Sequence, residues 1–102
     1  MNILSIDTSD TKKAKVYIKC DSKTFKVSDS RETRSDITLS LIEKVLKISN
    51  LKISDIDKLC VNEGPGSFTG LRVGISIANA LSFSIGKPIN GQIFGKIISP
   101  VY

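Results

Sequence analysis

The stretch Gly64-Pro65-Gly66-Ser67-Phe68-Thr69-Gly70-Leu71-Arg72-Val73-Gly74 constrains this chain more than any other. A short apolar run, Leu59-Cys60-Val61, precedes it and reads as a buried strand. Residues 70–86 follow without a proline, keep helical periodicity and stop at Gly86-Lys87-Pro88, a helix C-terminus signal. The motif is therefore a strand, a glycine-rich turn and a helix start. Ser67 or Thr69 is the N-cap candidate, because a hydroxyl there accepts from the free amides of the first turn.

Winding residues 70–86 at about 100° per residue leaves a polar strip of only Asn79, Arg72 and Ser76, interrupted by Phe83. Such a helix needs cover on more than one side. Every fourth residue from Gly70 is small (Gly70, Gly74, Ala78, Ser82, Gly86), which lets a neighbour approach closely. Two neighbours fit that stripe, the chain's own sheet or a helix of another protein.

The 102 residues suit one domain, with hydrophobic and charged fractions of 40% and 25% in the ordinary globular range. No apolar run approaches the ~20 residues of a membrane span, and Met1-Asn2-Ile3-Leu4 lacks a basic leader, so no membrane association and a cytoplasmic location are expected. Cys20 and Cys60 have no pairing or metal spacing and read as free thiols. Histidine is absent, which excludes Ser-His or Cys-His nucleophiles and imidazole acid–base chemistry within this chain. The net charge of +5 comes from lysines scattered along the sequence, and scatter alone specifies neither nucleic acid nor an acidic partner.

In order, Asn2–Asp7 reads as a strand ending in a polar turn, Asp7-Thr8-Ser9-Asp10. Residues 14–20 alternate cleanly, and Asp21-Ser22 turns them into a third strand, Thr24–Val27. Residues 28–35 are a polar loop. A helix runs from about Asp36 to Ile48, with Ser35 as N-cap candidate and Asn50 near its C-cap. Its apolar arc covers about 200°, against the roughly 100° of single-sided burial. Ile53–Asp57 is a turn or helical cap, Ile89 to about Ile93 a fifth strand, and the tail from Phe94 is unassigned. The order is β-β-β-α-β-α-β, its last strands joined by right-handed parallel crossovers.

A glycine-rich turn at a helix N-terminus is a natural anion site. Here no Gly-Lys-Ser/Thr closes it, and Gly64, Gly66 and Gly70 are spaced too widely for the dinucleotide fingerprint. Asp7, Thr8, Gly64 and Gly66 form the candidate phosphate-binding set, with Asp7 able to hold a metal-bound phosphate between this domain and a second one. The plain alternative makes Asp7 a turn residue and the glycines a tight turn with close helix packing.

Residues 64–74 resemble the signature of the TsaB family, the bacterial dimerisation subunit of the tRNA threonylcarbamoyladenosine machinery. Ile3-Leu4-Ser5-Ile6-Asp7-Thr8-Ser9, Leu39-Ser40-Leu41-Ile42 and Gly86-Lys87-Pro88-Ile89 are similar to that family as well. The resemblance implies an α/β domain, a ribonuclease H-like, actin-like ATPase subdomain with a five-stranded mixed sheet and two main helices. It implies a non-catalytic scaffold, with no catalytic residue, no metal and no cofactor of its own; ATP with magnesium would need a partner or a second lobe. The implied partner is a TsaD-like catalytic subunit, which transfers threonylcarbamoyl to the adenosine beside the tRNA anticodon, with a TsaE-like ATPase joining and tRNA reached through the complex. Family pairing through both helices makes Ile37, Leu41, Val45, Ile48, Gly70, Leu71, Gly74, Ala78 and Ser82 the expected interface, and the same helices also permit a homodimer. On this resemblance residues 1–93 are the family's first domain, 94–102 a short tail, and the second domain is absent. Arg34-Ser35 stands where relatives carry Arg-His-Ser.

Overall fold

A computed structural model describes residues 1–30, 34–92 and 98–100. The sheet is built from β1 (Asn2–Asp10), β2 (Lys13–Cys20), β3 (Lys23–Asp29) and β4 (Lys58–Val61), in the order β3-β2-β1-β4. The first three strands run antiparallel, and β4 lies parallel to β1 with Leu4 opposite Leu59 and Ile6 opposite Val61. Alternation decides which side is covered. Leu4, Ile6, Ala14, Val16, Ile18, Val27, Leu59 and Val61 point to one face and are buried there. Helices α1 (Ser35–Ser49) and α2 (Phe68–Ile85) form a single layer on that face, α1 over β2 and β3, α2 over β1 and β4.

The turns carry the residues their geometry requires. Asp21 takes φ 54 between β2 and β3, and Asn50 and Gly86 end the two helices in the left-handed region at φ 59 and φ 68. Ser67 caps α2, its hydroxyl accepting from the Gly70 amide at 3.2 Å. Helix α1 differs from expectation at its start: Arg34 is the N-cap and Ser35 is already helical. A short 3-10 turn, Ile53–Asp55, leads into β4.

Two strand assignments change. β1 continues to Asp10 through the residues read as a turn, because Thr8 sits in the core and pairs its hydroxyl there. The expected fifth strand is one parallel bridge, Leu59 to Ile89. Asn90 and Gly91 both adopt positive φ, 49° and 77°, and Ile89 and Gln92 exchange backbone hydrogen bonds across them. Asn-Gly with two positive φ angles is the tight hairpin turn, so the chain reverses where a strand would have continued. The Asn90 amide then caps the open edge of β4, accepting from Val61 N at 2.8 Å and donating to Val61 O at 3.0 Å. Asn79 on α2 clasps Ile98 in the same two-bond manner. The end of the expected fifth strand at Ile93, and residues 94–97 and 101–102 of the tail, lie outside the described residues.

Candidate functional site

The junction between β1 and α2 is unusually close. Thr8 is fully buried, and its hydroxyl donates to Gly70 O at 2.6 Å while accepting from Gly74 N at 3.1 Å. An uninterrupted helix pairs those two backbone groups with each other. A Cβ at Gly70 would collide with the Thr8 carbonyl, and one at Gly74 with the Thr8 hydroxyl. The small-residue stripe is therefore spent on the chain's own first strand. Further along it, Ala78 is in the core and Ser82 donates to Lys87 O at 2.6 Å, closing the helix end.

This corrects most of the expected partner interface. Ile37, Leu41, Val45, Gly70, Leu71, Gly74, Ala78 and Ser82 are all buried against the sheet, where no partner can reach them in this fold. Of the nine, Ile48 alone is exposed. The apolar arcs read from the sequence are real, and the sheet takes one side of each.

What remains outside is aromatic and aliphatic. Phe83, Phe68, Leu39 and Ile48 keep 74%, 57%, 51% and 49% of their surface in solvent. On α2, Phe68, Arg72, Ser76 and Phe83 recur at helical spacing along the exposed side. The Arg72 guanidinium lies 5.2 Å from the centroid of the Phe68 ring. A hollow of about 310 Å³ opens between the two helix starts, lined by Ser35, Phe68, Thr69, Arg72, Val73 and Ser76. Phe83 broke the polar strip in the sequence, which was the available signal for this outer surface. The 18-residue α2 is long and apolar enough to cross a membrane, and its inner side instead forms the core of this domain.

The structure also gathers the candidate phosphate residues at the carboxyl ends of β1 and β4. Asp7 Oδ1 accepts from the Ser9 amide at 3.1 Å, the Ser9 hydroxyl at 2.7 Å and Asn62 Nδ2 at 3.2 Å. Partial burial works to raise its pKa, but these hydrogen bonds and the nearby Lys15 charge outweigh it and hold the carboxyl below its ordinary 3.8. Asp7 is thus a fixed anion at neutral pH.

The loop beside it is filled by the chain itself. Gly64 N donates to Asn62 Oδ1, Ser67 N to Ser9 O, and Leu71 N to Ser67 O. A Cβ at Gly66 would lie 2.8 Å from Ser9 Cβ, so that glycine serves the packing of loop on strand. Gly70 N and Gly74 N are bonded as well, and the Thr8 hydroxyl is committed to Gly70 and Gly74. Thr8 and the Gly66 position are thus committed to packing the loop and helix on β1. Among the described residues no cluster of three metal-ligating side chains occurs, and Cys20 and Cys60 are free thiols.

A single helical layer on one face of a mixed sheet, joined through a glycine-rich strand–helix turn, defines the class of domain. The chain superposes on a solved structure described as YeaZ from Pseudomonas aeruginosa, with a TM-score of 0.81 and 22% identity, over 86% of this chain and 41% of that one. Residues 29–91 match the family model described as TsaD, tRNA N6-adenosine threonylcarbamoyltransferase, and the chain belongs to that family. Within it, the chain is similar to the proteins named tRNA threonylcarbamoyladenosine biosynthesis protein TsaB. It is 28% identical to that of Bacillus subtilis over all of this chain and 50% of the relative. It is 37% identical to that of Buchnera aphidicola over 87% of this chain and 42% of the relative. The chain spans about half or less of the length of these relatives.

Proposed function

We propose that this chain is the TsaB-like, non-catalytic partner subunit in the modification of tRNA adenosine to its threonylcarbamoyl form, working in the cytoplasm. It provides the first lobe of an actin-like fold and docks on a TsaD-like catalytic subunit. The observation that carries this reading is the outer face of the two helices. Four large apolar side chains stand in water there, beside a hollow, on a domain whose inner helix faces are already fully packed. Exposed aromatics with an arginine are the residue types that dominate interface energies. The match to both TsaB proteins and the TsaD model supports a pairing of two related domains through equivalent helices.

The chemistry of this chain supports the accessory role. It has no histidine. The glycine turn is closed on Ser9 and Thr8, and Asp7 is engaged with Ser9 and Asn62. Transfer of the threonylcarbamoyl group then belongs to the partner, which holds the reacting atoms, while this chain supplies a rigid docking surface. Co-purification with a TsaD-like subunit, followed by light scattering on the eluted complex, tests it. A one-to-one heterocomplex is expected. A chain that stays alone, or pairs only with itself, contradicts the reading.

A further inference from the structure

Asn90 does with its side chain what a continuing strand would do with its backbone. At the outer edge of β4, Leu59 N donates to Pro88 O and Asn90 N donates to Leu59 O, both at 2.9 Å. A parallel ladder would go on with Val61 N donating to the Asn90 carbonyl and the amide of residue 92 donating to Val61 O. The turn at Asn90 and Gly91 takes that backbone away, and Gln92 N pairs back on Ile89 O at 2.8 Å. The Asn90 carboxamide, which like a peptide group carries an acceptor and a donor, closes on Val61 instead. Val61 ends β4, and the next residue, Asn62, donates to Asp7 Oδ1 and accepts from Gly64 N. The latch therefore also steadies the entry to the glycine-rich turn.

The same residue sits in the sequence context most prone to lose that amide. Among Asn2, Asn50, Asn62, Asn79 and Asn90, only Asn90 precedes a glycine. A glycine puts no side chain between its own backbone nitrogen and the preceding carboxamide. Gly91 is exposed, and a Cβ there would meet nothing within 4 Å, so base and water reach the site. Hydroxide takes the proton from Gly91 N, which attacks Asn90 Cγ. A bond from Gly91 N to Cγ forms, the bond from Cγ to Nδ2 breaks, and ammonia leaves with a proton returned by water. Water then opens the five-membered imide at either carbonyl, leaving aspartate or isoaspartate, and nothing is oxidised or reduced. While the latch is closed, both polar ends of the carboxamide lie on Val61, and attack waits for the edge to open.

We propose that Asn90 is a modification site and a one-way latch: opening of the β4 edge frees its carboxamide for attack by Gly91 N, and deamidation prevents the edge from closing again. The product carboxylate still accepts from Val61 N but has lost the donor. It sets a charged oxygen against Val61 O, where a hydrogen bond of 3.0 Å stood. Isoaspartate in addition lengthens the backbone by a carbon inside a tight turn. The edge of β4 beyond Leu59 then stays unpaired. None of this needs a partner subunit, so the proposal stands apart from the docking reading.

Peptide mapping by mass spectrometry of the full chain, aged in mildly alkaline buffer both folded and in denaturing urea, tests it. In urea Asn90 should convert at least about tenfold faster than Asn79 or Asn50, to a mixture of aspartate and isoaspartate. In the folded chain Asn90 should still be the first asparagine to convert, but about tenfold or more slowly than in urea. Gly91→Asn, which tolerates the left-handed turn, should slow conversion and leave the Val61 amide as protected as before. In Asn90→Asp, and in Asn90→Ala, which removes the latch without adding charge, hydrogen exchange at the Val61 amide should speed up by about fivefold or more, with β2 changed by less than about twofold. Conversion of Asn90 no faster than of Asn79 overturns the proposal, as do equal rates in the folded and unfolded chain. So does a Val61 amide unchanged in both variants, or a rise in exchange shared equally by β2, which would mean loss of the fold and not release of one edge.

Discussion

Gly70, Gly74, Ala78 and Ser82 line one side of α2, and Phe68, Arg72, Ser76 and Phe83 line the other. The first set is small because β1 lies against it, close enough that a Cβ at Gly70 would meet the Thr8 carbonyl. The second set is exposed and holds two phenylalanines and an arginine. One side holds the domain together, while the other, read in the sequence as a polar strip broken by Phe83, stays exposed. A small-residue stripe marks a close approach of backbone, and here the approaching backbone is the chain's own strand. In the proposed docking, the energy comes from the opposite side, where surface remains to be buried.

The contrast is broken most severely from the inside. Gly74→Leu places a branched side chain on the Thr8 hydroxyl and should cost about 3 kcal/mol or more, read as a collapse of the urea midpoint with loss of far-UV signal. That variant tests folding and says nothing about partner choice. Thr8→Val keeps the shape but removes the hydroxyl shared by Gly70 O and Gly74 N. A loss of about 1–2 kcal/mol is expected, and Thr8→Ser should retain the hydrogen bonds and lose less.

Acid sharpens the contrast at the junction. Because Asp7 is held below its ordinary 3.8 in the folded chain, its contribution is fully present above that value and disappears as pH falls through the lowered folded value. The stability difference between the chain and Asp7→Asn should therefore be positive at neutral pH and shrink toward zero in strong acid, followed by thermal melts across pH. On the outer side the stability effect should be smallest. Phe83→Ser removes an exposed ring and should move the urea midpoint by no more than about 0.5 kcal/mol equivalent.

Much of this architecture was legible because its signals are local and periodic. Alternation in residues 14–20 gave β2 and its buried face, Gly86 and Asn50 marked both helix ends, and Ser67, one of two candidates with Thr69, is the cap of α2. Thr8 misled because a polar residue at a strand end looks like a turn unless its partner, Gly70, is known to be 62 residues away. Asn90-Gly91 is a hairpin signal that the strand reading of Ile89 to about Ile93 passed over. The glycine stripe had the right period, but period does not say which neighbour it serves.

Affinity for a TsaD-like subunit, measured by calorimetry for the chain and for a Phe68→Ser, Phe83→Ser double variant whose urea midpoint is recorded alongside, separates the two sides of α2 most directly. The account predicts a fold as stable as before and binding weakened by tenfold or more, about 1.4 kcal/mol. Full-strength binding by that stable variant would contradict it.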